Sequence, residues 1–447
     1  MITIPIALFG WPIFVFCLGF VTRLQLAIVV SYFGAWLFLP MASYNFTALL
    51  PYDKWTAATL GSLACSVVLG GDKLFSWRPS WVDLPMIAWC LSPMLSNTFG
   101  GYGPYEGLCG VSDKTLQWVI PYLLGRSHFR DHASLLFLAK SFLIAGLIYL
   151  PLCWYEIRMS PQLHSKTYGM FQHEWHQLMR GGGFRPIVYM QHAIAVSTFI
   201  CITLSIGWWL WRTGKVTKVF GMPMWALLPL TALTMIGCKT MNAIFLFAIS
   251  LGIYCAVLFL RWRWSLALAV IVPLFYMAGK LTGLLDDNLL LSAARAINSE
   301  RADSLEQRLY SERVMIDGMK GAPLFGNGRW ADAIQFAEQD EGRTIIPDAY
   351  WIIVAGSGGL FGLASYIGLF MVPVLSITRR SPREGWLSNQ WAAVSALTVA
   401  VGLYYLDCLM NAMLSSVFPL ILGALTTVAA TKEIDRADES LRMANMH

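Results

Sequence analysis

The uncharged run AIAVSTFICITLSIGWWLW, residues 193–211, decides the fold class of this chain. Its length matches the roughly 20 apolar residues that an α-helix needs to cross a bilayer. Similar runs precede and follow it, among them ITIPIALFGWPIFVFCLGF, LLFLAKSFLIAGLIYLPLCW and AIFLFAISLGIYCAVLFL. Together with weaker apolar segments, they predict an all-α polytopic membrane protein with roughly twelve or thirteen transmembrane helices.

The composition agrees with this class. The chain has 447 residues, of which 57% are hydrophobic and 13% charged. Soluble domains are less apolar, and the strands of a membrane β-barrel would give alternating segments of about ten residues instead. The short loops on one side of the predicted bundle are basic, which assigns that side to the cytoplasm. The net charge of +6 follows from this bias and requires no nucleic-acid partner.

The predicted helices leave two long connections on the external side. The first apolar run has no basic start and no small-residue cleavage site, so we interpret it as a first span rather than a removed signal. The nine cysteines are scattered singly and have no metal-ligand spacing. The resulting organisation is N-terminal helices (1–155), a first large external loop (156–189), central helices (190–280), a second large external loop with a surface helix (281–347), C-terminal helices (348–430) and a cytoplasmic tail (431–447).

The second external loop contains a charged stretch, SLEQRLYSERVMIDGMKGAPLFGNG, residues 304–328. Apolar residues at helical spacing, including Leu305, Leu309 and Met319, predict a helix over about 302–320. Pro323 and the Gly-Asn-Gly sequence that follows predict a turn at its end. A helix with one apolar stripe and many charges is typical of the membrane surface or of the top of a helix bundle.

Two arginines of this helix admit two interpretations. Ion pairs between Arg308 and Glu312 and between Arg313 and Asp317, each four residues apart, would make a solvated helix face. Alternatively, one arginine reaches into the bundle and the other remains in an ion pair. Arg308 and Arg313 are separated by roughly 140° around an ideal helix, so they cannot both serve one small anion.

The same stretch resembles a known family. Ser304-x-x-x-Arg308-Leu309, followed by Pro-Leu-Phe-Gly-Asn-Gly and then by PDAYWIIVAGSGGLFG, is similar to the signature of the O-antigen ligase and O-antigen polymerase superfamily. The resemblance covers about residues 160–375. It implies a GT-C-like, metal-independent glycosyltransferase of the bacterial inner membrane, with its site facing the periplasm. Such enzymes transfer glycan from an undecaprenyl-diphosphate carrier to a glycan or glycolipid acceptor, and other polysaccharide-assembly proteins are possible partners.

The resemblance also implies roles for basic residues in both loops. A guanidinium pairs bidentately with phosphate oxygens and remains charged at any working pH. Arg308 is our first choice for stabilising the diphosphate leaving group, and Arg185, or the nearby Arg180, is expected to contact the phosphates from the first loop. We expect further substrate contacts from Arg313 and His192. The histidines His173, His176 and His192 do not complete a metal motif, so we expect neither metal nor cofactor.

One position departs from the family pattern. Ligases of the family carry His-Asn where this chain has Asp348-Ala349. Asp348 can act as the base that accepts the proton of the acceptor hydroxyl, or it can simply cap the following helix. The departure weakens the case for a ligase and leaves a polymerase or another carrier-linked glycan transferase open.

Further polar and aromatic residues near external helix ends have two interpretations each. Lys239 is a third phosphate contact or the ion-pair partner of Asp407. Tyr350, with Trp351 and Trp330, stacks on sugar rings or belongs to an interfacial aromatic belt. The alternatives to an enzyme are a flippase for the same lipid-linked glycan and a non-catalytic polysaccharide-assembly protein. The chain has no internal repeat of the kind that transporters commonly show, which favours the enzyme.

Overall fold

The structure, a computed structural model, describes residues 3–46, 50–71, 74, 79–297, 299–329, 345, 347–381 and 385–430. Helices dominate these residues, and the strands form only two short antiparallel hairpins, β1–β2 (Met179–Arg180, Gly183–Phe184) and β3–β4 (Lys218–Val219, Met222–Pro223). The helices are α1 (Ile4–Val21), α2 (Leu24–Phe38), α3 (Lys54–Leu69), α4 (Leu84–Phe99), α5 (Pro104–Lys114), α6 (Ile120–His128), α7 (His132–Met159), α8 (Leu163–Tyr168), α9 (Ala193–Arg212), α10 (Met224–Gly237), α11 (Met241–Leu260), α12 (Ser265–Leu281), α13 (Asp287–Ile297), α14 (Ser299–Met319), α15 (Tyr350–Arg380), α16 (Ala392–Asp407) and α17 (Val417–Ala430).

Five of the described helices are long and apolar enough to cross a membrane: α1, α7, α9, α11 and α15. Six shorter apolar helices accompany them: α2, α3, α10, α12, α16 and α17. These findings support the all-α membrane class. The number of spans, roughly twelve or thirteen, stays a prediction, as do the GT-C-like fold and the orientation.

Helix α9 lies at the centre of the bundle. Its apolar residues surround the whole helix rather than one face, which is typical of a buried element. It packs against α7, α10, α11 and α16. An aromatic cluster joins it to more distant parts of the chain, because the ring of Phe199 lies 4.9 Å from that of Trp36 and 5.2 Å from that of Phe142. The run that decides the fold class therefore also forms its core.

Helix α15 is broken at Gly359, whose φ of 60° and ψ of −160° are not helical. The half before the break folds back on the half after it, because the rings of Tyr350 and Tyr366 lie only 5.3 Å apart. In a continuous helix, sixteen residues would separate them by about 24 Å along the axis. The apolar residues on the two sides of Gly359 therefore form two helical halves and not one continuous helix.

The turn Pro323–Gly328 is docked into this break. The N–H groups of Leu360 and Phe361 donate to the carbonyls of Pro323 and Leu324 at 2.9 and 3.0 Å. In return, Asn327 N–H and Gly328 N–H donate to carbonyls of the first half of α15, both at 3.0 Å. The predicted turn is confirmed. It supplies hydrogen-bond partners to the two helix ends that meet at the break.

Candidate functional site

The two large loops meet at one end of the helix bundle, which we call the site end. Here α7, α10, α12 and α16 end and α9, α11 and α15 begin. Contacts across this end tie the elements together: the Tyr350 N–H donates to the Cys408 carbonyl at 3.1 Å, and Arg185 Nη2 donates to Thr240 Oγ1 at 2.9 Å.

Glu156, in the last turn of α7, organises the first loop. Its fully buried carboxylate accepts four backbone N–H groups at 2.7–3.0 Å. Oε1 accepts from Gln162 and Leu163, at the start of α8, and Oε2 accepts from Ile187 and Val188, shortly before α9. One side chain thus fixes both the beginning and the end of the loop.

The hairpin β1–β2 carries the exposed Arg180, and Lys239 holds it. The ammonium of Lys239 donates to the carbonyls of Arg180 and Gly181 at 2.9 and 3.1 Å. The alternative interpretation, an ion pair between Lys239 and Asp407, is wrong. The buried Asp407 instead accepts from the side chains of Thr198, Asn242 and Asn411.

Arg185 follows the hairpin and is buried. Besides its bond to Thr240, its Nη1 donates to the Gln177 carbonyl at 3.5 Å. Its guanidinium is therefore held between the first loop and the connection from α10 to α11, whereas Arg180 lies on the surface of the hairpin. The two arginines that the sequence left as alternatives have different environments.

Glu312 docks α14, the helix of the second loop. Its carboxylate accepts from Tyr276 Oη at 2.9 Å and from Trp351 Nε1 at 3.3 Å, and Lys280 Nζ lies 3.5 Å away. Burial raises the pKa of Glu312, and Lys280 opposes that increase. The predicted ion pair between Arg308 and Glu312 is wrong, because Glu312 faces α12 and α15.

The two arginines of α14 diverge, as the helical geometry predicted. The guanidinium of Arg313 pairs with Asp287, at the start of α13, at 2.8 Å, and Asp317 pairs with Lys320 at 2.6 Å. The predicted pair of Arg313 with Asp317 is therefore not the ion pair that forms. Arg313 belongs to the contact between α13 and α14, and the structure does not bring it to the site.

Arg308 lies on another face and pairs with Asp348, with 3.3 Å between Nε and Oδ2. The side chains are 26% and 42% exposed, so both remain accessible to a ligand. The N-cap residue of α15 is Ala349, which makes no side-chain capping hydrogen bond. The interpretation of Asp348 as a helix cap is therefore wrong. A distant arginine, rather than the local backbone, is its partner.

His192 lies where the charges of both loops meet. Its Nδ1 accepts the N–H of Ile194 at 2.9 Å and caps α9, which places the proton of the neutral ring on Nε2. Its pKa is lowered to about 3, first by burial and then by neighbours from both loops: His173, Arg185, Arg308 and Arg180. His192 is thus neutral near pH 7 and sits in a positive field.

The rings of His173 and His192 are 4.5 Å apart. Among the residues that the structure describes, no group of three or more His, Cys, Asp or Glu side chains could hold a metal ion. The side chain of His176 lies outside the described part of the chain. The contact therefore packs an imidazole ring of the first loop against the residue that caps α9.

The aromatic residues at the start of α15 are not at the surface. Tyr350 is only 8% exposed and its ring contacts Trp89 and Tyr366. Trp351 is fully buried and donates to Glu312. The expectation that these residues are exposed platforms for sugar rings is therefore wrong, and Trp330 lies outside the described residues.

Two residues that organise the site were missed from the sequence: Glu156 and, as an anchor, Glu312. The signal that could have found Glu156 is a carboxylate at the end of an apolar helix, where an ionisable residue normally has a partner or a function. Glu312 was assigned to the wrong partner because the helical spacing gives only local pairs.

No protein-family model matches this chain. No curated protein is significantly similar to it in sequence.

Proposed function

We propose that this protein is a glycosyltransferase of the bacterial inner membrane that uses a polyprenyl-diphosphate-linked glycan, most simply one on undecaprenyl diphosphate. It transfers or polymerises the glycan onto a glycan or glycolipid acceptor at the periplasmic face. The observation that supports this proposal is electrostatic: the charges of Arg180, Arg185 and Arg308, from two separate loops, all lower the pKa of His192. A diphosphate is the anion that such a cluster fits.

Arg308 has the central role in the proposed reaction. The diphosphate displaces Asp348 from the guanidinium, because two phosphate groups offer more charge and more acceptor oxygens than one carboxylate. The bond from the sugar anomeric carbon to the diphosphate oxygen then breaks, and Arg308 stabilises the charge that develops on the leaving group. The acceptor hydroxyl oxygen bonds to the anomeric carbon in its place, and the released Asp348 accepts the hydroxyl proton.

The first loop supplies the remaining contacts. The buried Arg185 contributes fixed positive charge, and Arg180 contacts the outer phosphate from the hairpin that Lys239 holds. The Nε2–H of His192 donates a hydrogen bond to a phosphate or sugar oxygen, since its Nδ1 is occupied by the backbone. Lys239 is a positioning residue here, because its ammonium faces two backbone carbonyls.

The test is glycan analysis in cells that carry Arg308→Ala, at matched protein level. We expect product to fall by at least about a hundredfold, with carrier-linked glycan accumulating on the outer leaflet. The control is Arg295→Ala, which removes an arginine from the same loop; Arg295 pairs with the exposed Glu306 and should leave product unchanged.

Two outcomes contradict the proposal. Normal product from Arg308→Ala removes the catalytic role of this arginine. Accumulation of carrier-linked glycan on the inner leaflet instead identifies a flippase, the transporter alternative.

A further inference from the structure

The backbone N–H and C=O groups of the turn Pro323–Gly328 form hydrogen bonds with those at the break in α15. A helix that ends within the bundle leaves N–H and C=O groups without partners, which is costly in apolar surroundings. The break at Gly359 creates one helix end and one helix start at the same place. The turn supplies two carbonyls to the start and two N–H groups to the end, so neither element is complete alone.

Helix α14 runs parallel to the first half of α15, and the contacts between them follow both segments toward this turn. Arg308 meets Asp348, and four residues later Glu312 meets Trp351. Further along α14, the methyl group of Met315 lies 3.0 Å from the position that a Cβ on Gly356 would occupy. The helix and the turn therefore form one strip along the first half of α15, with Arg308 at one end and the turn at the other.

We propose that the turn Pro323–Gly328 is a latch that holds α14 on the first half of α15 and so places Arg308 against Asp348. Gly326 and Gly359 are its positioning residues. The latch itself is a statement about structure, and only its effect on product rests on the proposed function.

The latch requires glycine at its two contact points. A Cβ on Gly359 would lie 2.5 Å from the Gly326 nitrogen and 2.6 Å from the Leu324 carbonyl oxygen, and a Cβ on Gly326 would lie 2.4 Å from the Gly359 nitrogen. Both residues also have positive φ, 72° at Gly326 and 60° at Gly359. Backbone cannot move aside as a side chain can, so alanine at either position separates the two segments.

The neighbouring Gly358 provides a matched control. A Cβ on Gly358 would meet nothing within 4 Å, and its φ is not positive. Gly358→Ala and Gly359→Ala therefore make the same chemical change at adjacent positions, one in open space and one against the latch.

The experiment measures both variants in two ways. Hydrogen exchange of the α14 amides in the purified, full-length protein reports whether the helix is docked. Glycan product in cells, at matched protein level, reports the placement of Arg308. We expect Gly359→Ala to speed exchange in α14 by at least about tenfold and to lower product by about a hundredfold. Gly358→Ala should change neither.

A milder variant keeps the test decisive if Gly359→Ala does not fold. The Phe325 ring in the turn stacks on Phe99 of α4, with ring centroids 4.6 Å apart and 11° between the planes. Phe325→Ala should loosen the turn without a backbone clash and change both measurements in the same direction, by less.

The proposal is overturned if these latch variants leave α14 exchange unchanged. It is also overturned if exchange rises and product stays normal in cells where Arg308→Ala does abolish product. Equal effects of Gly358→Ala and Gly359→Ala also overturn it. Failure of the proposed function is a separate result, in which Arg308→Ala retains product whatever the latch variants do to hydrogen exchange.

Discussion

The two loops of the site end are each anchored by one buried glutamate, but the partners differ. Among the described residues, Glu156 accepts only backbone N–H groups. Glu312 accepts from the side chains of Tyr276 and Trp351 and lies beside Lys280. A backbone N–H can only donate, so Glu156 must keep both oxygens as acceptors. A tyrosine hydroxyl can either donate or accept. The anchor of the second loop should therefore tolerate replacement of its glutamate by glutamine, and the anchor of the first loop should not.

The comparison also separates two ways of placing an arginine. Glu156 closes a loop onto itself, and Arg185 is carried in the segment that it closes. Glu312 attaches one helix to two others, and Arg308 lies one helical turn away on that helix. Damage to the first anchor therefore unfolds a loop, whereas damage to the second shifts a helix that remains formed.

The largest difference is expected from Glu156→Gln. The amide can accept the two N–H groups on one side but presents an NH₂ to the two on the other. Two charge-assisted bonds to buried amides are lost, which costs about 3–6 kcal/mol of the free energy of unfolding. SDS titration in mixed micelles measures this cost. A change below about 1 kcal/mol would show that the carboxylate does not hold the loop.

A smaller effect is expected from Glu312→Gln. The glutamine oxygen can accept from Trp351 Nε1 while its NH₂ donates to the Tyr276 hydroxyl, and Lys280 keeps its ion pair with Asp287. We expect a loss of about 1 kcal/mol, against about 3 kcal/mol or more for Glu312→Ala, which leaves these partners unbonded. If Glu312→Gln and Glu312→Ala lower the free energy of unfolding equally in the same titration, the second anchor does not tolerate glutamine, and the difference between the two anchors is absent.

The smallest effect concerns pH. The pKa of His192 is lowered to about 3 in the folded protein, so the unfolded chain binds a proton more readily as the pH falls below the ordinary value of 6.5. Stability is therefore lost on acidification, by less than about 1 kcal/mol between pH 7 and pH 6. The contribution of Glu312 to stability changes with pH in the opposite direction. Its raised pKa makes the folded state the better proton acceptor, so acidification favours folding through this group.

His192→Asn isolates the contribution of the first loop to this pH dependence. Asparagine can still cap α9 but does not titrate. Unfolding measured at both pH values should show a smaller acid loss in the variant than in the unaltered protein. An identical loss in the two proteins would assign the pH dependence to other groups.

The sequence predicts those features that depend on local pattern. Uncharged runs such as residues 193–211 identify the helices, and the spacing of Leu305 and Leu309 identifies α14. The angle between Arg308 and Arg313 follows from helix geometry alone, and the structure gives them separate partners.

The features that sequence reasoning missed depend on contacts between distant residues. Asp348 has the local character of a helix cap, but its partner lies forty residues earlier in the chain. Glu156 bonds to N–H groups about thirty residues later, and backbone donors leave no trace in residue types. Hydropathy also cannot show the fold-back at Gly359, because a sum over apolar residues carries no direction.

The latch has a consequence for the order of synthesis. Gly328 leaves the ribosome before Gly359, so the peptide that completes the break already exists when α15 is made. A membrane-inserted chain can therefore bend at Gly359 without waiting for a later segment to supply hydrogen-bond partners. If the order were reversed, by placing the turn after α15 in a circularly permuted chain, the same helix would enter the bilayer with its break uncovered.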